Sequence, residues 1–275
     1  HTFDVAKDIL KSKKHLLTEK PMAQTYNQAK ELADLAKKNN LMYSVGFMRR
    51  YDTVVRSTKN IINEYRNSNE LGELLSIKIF VEAGSDYCGI SPRYETSEDK
   101  PKTFQKNIAP DWIPTKQKLE YEHFVNVCSH DINLLRFLIE DPVKITAVDY
   151  RANGFSYALM DFGNFPGIFE WGIRTHDFNG WKEGVEIKFS NGQINLSLPP
   201  AFLRNYSAKL NIKKYSSDQE IFPSQLDFPI DYTWSFENSD KAFVKSILDN
   251  KDSDHSGKDA FKDFTIIDNI WKNIV

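Results

Sequence analysis

The sequence predicts a mixed fold, α/β followed by α+β: a parallel βαβ unit, then an open, mostly antiparallel β-sheet flanked by helices. Three observations carry this prediction. Between residues 15 and 47 two short apolar runs bracket an amphipathic helix of about 15 residues, the pattern of a right-handed parallel crossover. After Asn67 the texture changes to short runs punctuated by Asn153-Gly154, Gly163-Asn164, Asn179-Gly180 and Asn191-Gly192, the turn signals of a meander over 143–213. Two helical patterns, about 235–249 and 257–273, close the chain.

Taken in order, the chain opens on HTFDVAKDILKSKK, in which Phe3, Val5, Ala6, Ile9 and Leu10 recur at helical spacing. HLLTE (15–19) is a strand that Pro21 must end, because proline cannot donate to a ladder. Residues 25–40 form a helix with Thr25 as N-cap and Asn39/Asn40 at its close. Residues 41–47 make the second parallel strand, and 52–66 a further helix with Val54, Val55, Ile61 and Ile62 on its apolar side. A strand is expected over 74–83, a long irregular stretch over 84–116, and a long helix over 118–140. A loop of that length inside a compact domain is usually functional or disordered.

Composition narrows the function. Thirty-six Lys and Arg against 38 Asp and Glu leave a net charge of −2, so no bulk positive field invites nucleic acid or an anionic membrane. No apolar run reaches the ~18 residues of a membrane span. Cys88 and Cys128 lie far apart with no CxxC pair, which excludes a disulfide scaffold and a zinc site, predicts no metal, and suits reduced thiols in a cytoplasmic protein. GxSxG, HExxH and GxxxxGK[ST] are all absent. Glycine is scarce at 12 residues.

The residues that could carry chemistry gather at predicted strand ends. Ligands of open α/β sheets bind outside the carboxyl ends of the strands. Lys20 follows one such end, and Arg49 and Arg50 follow the other. On the helix 118–140, Asn126, His130 and Asn133 share a line at i, i+4 and i+7. A solvent face is commonly Lys- and Glu-rich, whereas amides and an imidazole suit a cavity that orients hydroxyls. Trp112 and Tyr121, with Asp111, Glu122 and His123, could line the same cavity. Trp171, Arg174, His176 and Asp177 carry a weaker signal. Each of these has an ordinary alternative, a solvated cation or a core aromatic.

These motifs together resemble the Gfo/Idh/MocA oxidoreductases, the glucose–fructose oxidoreductase and inositol dehydrogenase family. HTFDVAKDILKSKKHLLTEKPMAQTYNQAKELADLAKKN resembles the second half of that family's dinucleotide-binding domain, with its EKP signature. VGFMRRYD, LGELLSIKIF, SHDINLLRFLIED and SGKDAFKDFTIIDNIWKNIV follow in the family's order. The resemblance implies a partial Rossmann domain at 1–48 and a substrate-binding and oligomerisation domain at 49–275. It implies NAD or NADP as cofactor, with Glu19, Lys20 and Pro21 near the nicotinamide. It further implies a small sugar or cyclitol substrate and a homo-oligomer built through the open sheet. Lys20 and His130 would be catalytic, the histidine as general base and the lysine steadying the reacting oxygen. Arg49, Arg50, Asn126, Trp112 and Tyr121 would bind substrate.

Two departures from the family pattern are visible. Asn126 stands where the family often has Asp, and an amide cannot act as a base. No GxGxxG occurs, so the resemblance places the phosphate turn upstream of His1, in a missing portion on the order of 60–80 residues. Two rival functions remain at this point: an NAD-dependent glycosidase on the same fold, and a non-catalytic binding or assembly module.

Overall fold

The computed structural model describes residues 2–84, 109–152, 154–173, 180–200, 202–204, 206–215, 222–226 and 233–275. The N-terminal unit is built as expected. Helix α1 (Thr2–Lys11) buries Ala6 and Leu10, and strand β1 (Leu16–Thr18) follows. Helix α2 (Tyr26–Lys38) starts at Thr25, whose hydroxyl accepts from the Gln28 amide, and buries Ala29, Leu32, Ala33 and Ala36. That i, i+3, i+4, i+7 row of mostly small side chains lets the helix lie close to its neighbours. Strand β2 (Tyr43–Val45) pairs in parallel with β1, Leu16 opposite Tyr43 and Thr18 opposite Val45. The Gly46 amide then donates to the Thr18 carbonyl at 2.7 Å, extending the ladder to its carboxyl end.

A single 3₁₀ turn, Met48–Tyr51, leads into α3 (Thr53–Ser68), which Asp52 caps by accepting from the Val54 and Val55 amides. Gly72, at φ +75°, turns the chain into β3 (Leu74–Ala83). The second sheet has eight strands in the order β10-β9-β8-β7-β3-β6-β5-β4. Its strands are β4 (Lys144–Asp149), β5 (Ser156–Asp161), β6 (Pro166–Ile173), β7 (Trp181–Phe189), β8 (Gly192–Leu198), β9 (Lys209–Lys214) and β10 (Phe222–Leu226). All its pairings are antiparallel except β3 with β6.

Helix α4 (Lys118–Leu138) covers one sheet face. Phe124 packs edge-on against Phe169 and Trp171 of β6, at centroid distances of 6.1 and 5.2 Å. The other face carries cross-strand ion pairs, Lys78–Glu170 and Lys182–Glu82, beside exposed Leu159 and Ile168. Helix α5 (Ser235–Leu248) follows.

Three expectations need correction. The closing helix is two, α6 (Gly257–Ala260) and α7 (Asp263–Lys272), because the chain bends at Phe261-Lys262. The sheet runs on past residue 213 to β10. Helix α4 begins in a 3₁₀ turn at Thr115–Gln117, inside the stretch expected to be irregular. Most of that stretch, 85–108 with Cys88, lies outside the described residues, as do Arg174, His176 and Asp177. No helix among the described residues is long and apolar enough to cross a membrane.

Candidate active site

A cleft of about 230 Å³ opens at the carboxyl ends of β1 and β2. Its walls come from four places: Glu19 and Lys20 after β1, Gly46, Met48 and Arg49 after β2, Asn126, Val127 and His130 on α4, and Trp181 and Glu183 on β7. Phe202 and Phe236 close the outer edge. The floor at Gly46 is tight: a Cβ there would lie 3.3 Å from Glu19 Oε2 and from the Thr18 carbonyl.

Lys20 Nζ donates to the Asn126 backbone carbonyl at 2.6 Å, with Asn126 Oδ1 farther away at 3.5 Å. Burial lowers the lysine's pKa, against the opposing pull of Glu19 and Asp131. His130 packs edge-on against Phe47, and its Nδ1 is buried with no hydrogen-bond partner among the described residues. Burial, then Lys20, then Arg49 push its pKa well below the ordinary value, so the imidazole is neutral.

Arg49, expected at the site, meets there two carboxylates that sequence reasoning missed, Glu183 and Asp131. Arg49 Nη2 donates to Glu183 Oε2 and, at 2.8 Å, to the Pro199 carbonyl. The Trp181 indole N–H also donates to Glu183 Oε2, at 2.7 Å. Asp131 is buried, and burial together with Glu183 raises its pKa, favouring the neutral acid. Asp131 was visible in SHDINLL, one residue from His130. Glu183 offered only a charge within a strand as a clue, because it reaches Arg49 across 134 positions.

Several expected site residues lie elsewhere. Arg50 turns away from the cleft, pairing with Asp259 and donating to the carbonyls of Asp254 and Asn133. A 3₁₀ turn sets neighbouring residues about 120° apart, so two adjacent arginines cannot share one wall. Asn133 is buried with its amide on Asp263 at 2.8 Å. Tyr121 is fully buried, donates to the Gln24 carbonyl at 3.1 Å and packs against Trp271. Trp112 packs on Tyr121 and beneath Lys272. Pro21 and Trp171 are not among the described residues that line the cleft, and Trp171 is core. Cys128 is buried, which pushes its thiol pKa up and leaves it unreactive.

The donor set fits the nicotinamide end of a dinucleotide. Parallel strand ends, a backbone floor at Gly46, a cation at Lys20 and an unpartnered buried imidazole nitrogen meet in one cleft. No cluster of three metal-ligating side chains occurs among the described residues.

The chain is similar to known oxidoreductases in part of its sequence and in its fold. Residues 1–47 match the GFO_IDH_MocA model, described as an oxidoreductase family with an NAD-binding Rossmann fold. Over 80 residues the chain is 39% identical to an uncharacterised oxidoreductase of Schizosaccharomyces pombe (strain 972 / ATCC 24843), covering 29% of this chain and 21% of that protein. Over 72 residues it is 39% identical to glucose-6-phosphate 3-dehydrogenase of Bacillus subtilis (strain 168), covering 26% and 19%. The matched stretches therefore span about a fifth of these curated relatives. In fold, the chain is similar to levoglucosan dehydrogenase in complex with NADH and L-sorbose. The TM-score is 0.71 at 17% identity, over 99% of this chain and 74% of that one. Residues 1–47 thus match the Gfo/Idh/MocA oxidoreductase family, and the chain as a whole shares the fold of levoglucosan dehydrogenase.

Proposed function

We propose that the protein is an NAD(P)-dependent oxidoreductase acting on a carbinol carbon of a sugar, amino sugar or cyclitol. The observation that carries this reading is the meeting of Lys20 and His130 in one cleft at the carboxyl ends of two parallel strands. When bound, the nicotinamide ring supplies the chemistry of accepting or giving up the hydride. Glu19, Lys20 and Gly46 would hold that end of the cofactor.

The chain's own residues handle the proton and the oxygen. One donor of the Lys20 ammonium is spent on the Asn126 carbonyl, leaving two for the reacting oxygen. A cation beside that oxygen stabilises alkoxide character in a site partly closed to water. Neutral His130 offers a lone-pair nitrogen that takes the hydroxyl proton during oxidation and returns it during reduction. Phe47 packs edge-on against the imidazole, and Met48 and Val127 add apolar surface to the same cleft.

The test is turnover with NAD and NADP over a panel of neutral sugars and cyclitols, beside Lys20→Ala and His130→Asn. Each substitution is expected to lower kcat by roughly 10²–10⁴-fold, while the dinucleotide affinity of His130→Asn, read by fluorescence, stays within a few-fold. Undiminished turnover in either variant overturns the assignment.

A further inference from the structure

We infer that Glu183 is a specificity-determining residue whose Oε1 accepts a hydrogen bond from a second hydroxyl of the substrate, one carried on a carbon other than the reacting carbinol. The inference rests on the proposed reaction and deepens it.

Glu183 is 2% exposed yet lines the cleft together with Lys20 and His130. Its two oxygens are treated very differently. Oε2 is held twice, by the Arg49 guanidinium and the Trp181 indole N–H. These two contacts fix the carboxylate from opposite partners and leave it little rotamer freedom. Oε1 is buried and has no hydrogen-bond partner among the described residues. An unmade bond at a buried carboxylate oxygen carries a large desolvation cost, and charge-assisted bonds are the strong ones. A fixed, dehydrated acceptor on a residue that lines a cleft is therefore an arrangement a ligand can complete.

The ligand group must be a donor. An anionic substituent at this point would meet a carboxylate. A second cation is not needed, because Arg49 already compensates Glu183, just as Glu19 faces Lys20. A neutral hydroxyl satisfies Oε1 without adding charge. Sites built to bond a hydroxyl reject the analogue lacking it far more strongly than apolar pockets reject an extra group. The cleft thus selects polyols over simple alcohols, and Glu183 sets which hydroxyl is required.

The experiment uses glucose and its complete mono-deoxy and mono-deoxyfluoro series as probes, measuring kcat/KM and direct binding by calorimetry with the dinucleotide present. Wild-type protein is expected to lose at least tenfold on one deoxy analogue, and equally on the deoxyfluoro analogue at the same carbon, since fluorine cannot donate. In Glu183→Gln an amide N–H replaces the free acceptor. The wild-type preference of at least tenfold for glucose over that one deoxy analogue should collapse to within about threefold of unity in Glu183→Gln, a ratio that a general loss of activity leaves in place. Equal discrimination in both proteins overturns the inference and leaves the oxidoreductase reading standing. Should Glu183→Gln not fold, retained affinity for every deoxyfluoro analogue by the wild-type protein overturns it alone. Dinucleotide binding without turnover of glucose or any other neutral polyol overturns both readings together.

Discussion

Two polar regions flank helix α4, and they are built on opposite principles. Toward its C-terminal half, Arg50, Asn133, Arg136, Asp259 and Asp263 form a buried network. Arg136 meets Asp263 at 2.5 Å, Asp141 at 2.6 Å and Asp259 at 2.8 Å, while Arg50 meets Asp259 from the other side at 2.7 Å. One turn and a half earlier the same helix presents Asn126 and His130 to the cleft. There Lys20 holds a backbone carbonyl, and His130 Nδ1 and Glu183 Oε1 hold nothing among the described residues. The network fastens α7 to α4, and its cations are surrounded by carboxylates. The cleft keeps donors and acceptors open. Buried charge alone therefore does not mark a site; incomplete pairing inside a cavity does.

The comparison breaks first at its largest expected effects. Losses of roughly 10²–10⁴-fold in kcat for Lys20→Ala and His130→Asn should come with little change in melting temperature, because those groups satisfy almost nothing in the fold. Arg136→Ala should do the reverse. It takes the guanidinium from Asp263, which is 1% exposed, and leaves that carboxylate only the Asn133 amide as a hydrogen-bond donor among the described residues. Removing one partner of a buried pair costs about 3–5 kcal/mol, or a melting temperature lower by roughly 10 °C. Calorimetry on the two sets of variants decides the matter: a shift under ~3 °C for Arg136→Ala would erase the distinction.

A smaller effect sharpens the stability side. His255 is fully buried between Tyr51, whose hydroxyl is 2.6 Å from Nδ1, and Ser239. Burial, with Arg50 adding to it, pushes its pKa down to about 3. The unfolded chain binds this proton near pH 6.5 and the folded chain does not. The stability is thus fully present above pH 6.5 and is lost as pH falls from 6.5 toward 3. Asp263 works the other way, because burial raises its pKa to about 6. Its contribution falls as pH rises from 3.8 to 6, and it cancels in a difference between variants. Between pH 7 and pH 4 wild-type protein should lose about 3 kcal/mol more than His255→Asn, read from urea midpoints. Parallel acid profiles would remove His255 from the account.

What could be read in the sequence follows the range of the interactions. The position of Lys20 was legible because a strand end is a local feature, and that of His130 because helical spacing is. The pairing of β1 with β2 was legible for the same reason. Arg50 and Asn133 were misplaced because orientation depends on a 3₁₀ turn at Met48–Tyr51 and on the arrival of α7, neither of which has a spacing signature. Tyr121 and Trp112 looked like cavity aromatics, but their position was settled by Trp271, 150 residues beyond Tyr121. Glu183 sits in β7, where its neighbours Gly184 and Val185 read as ordinary strand. A charge at a buried strand position, as at Glu183, was the available clue, and it becomes decisive only when Arg49 and Trp181 are seen to hold one of its oxygens.

The smallest effect concerns Asn126, the α4 residue that meets Lys20. Its backbone carbonyl, at 2.6 Å, does the work of holding Lys20, while its side-chain oxygen lies at 3.5 Å. Asn126→Ala keeps the carbonyl, so turnover should stay within about threefold, the margin of a lost surface contact. Asn126→Asp places a carboxylate beside an ammonium whose pKa burial has lowered. The added charge favours the ammonium and raises its pKa. Activity that needs the Lys20 cation is lost as pH climbs through that pKa, so the alkaline limb of the kcat/KM profile should move upward in Asn126→Asp and stay in place in Asn126→Ala. A collapse of turnover in Asn126→Ala would mean the amide itself orients the substrate, and the open side of the comparison would then extend one turn further along α4.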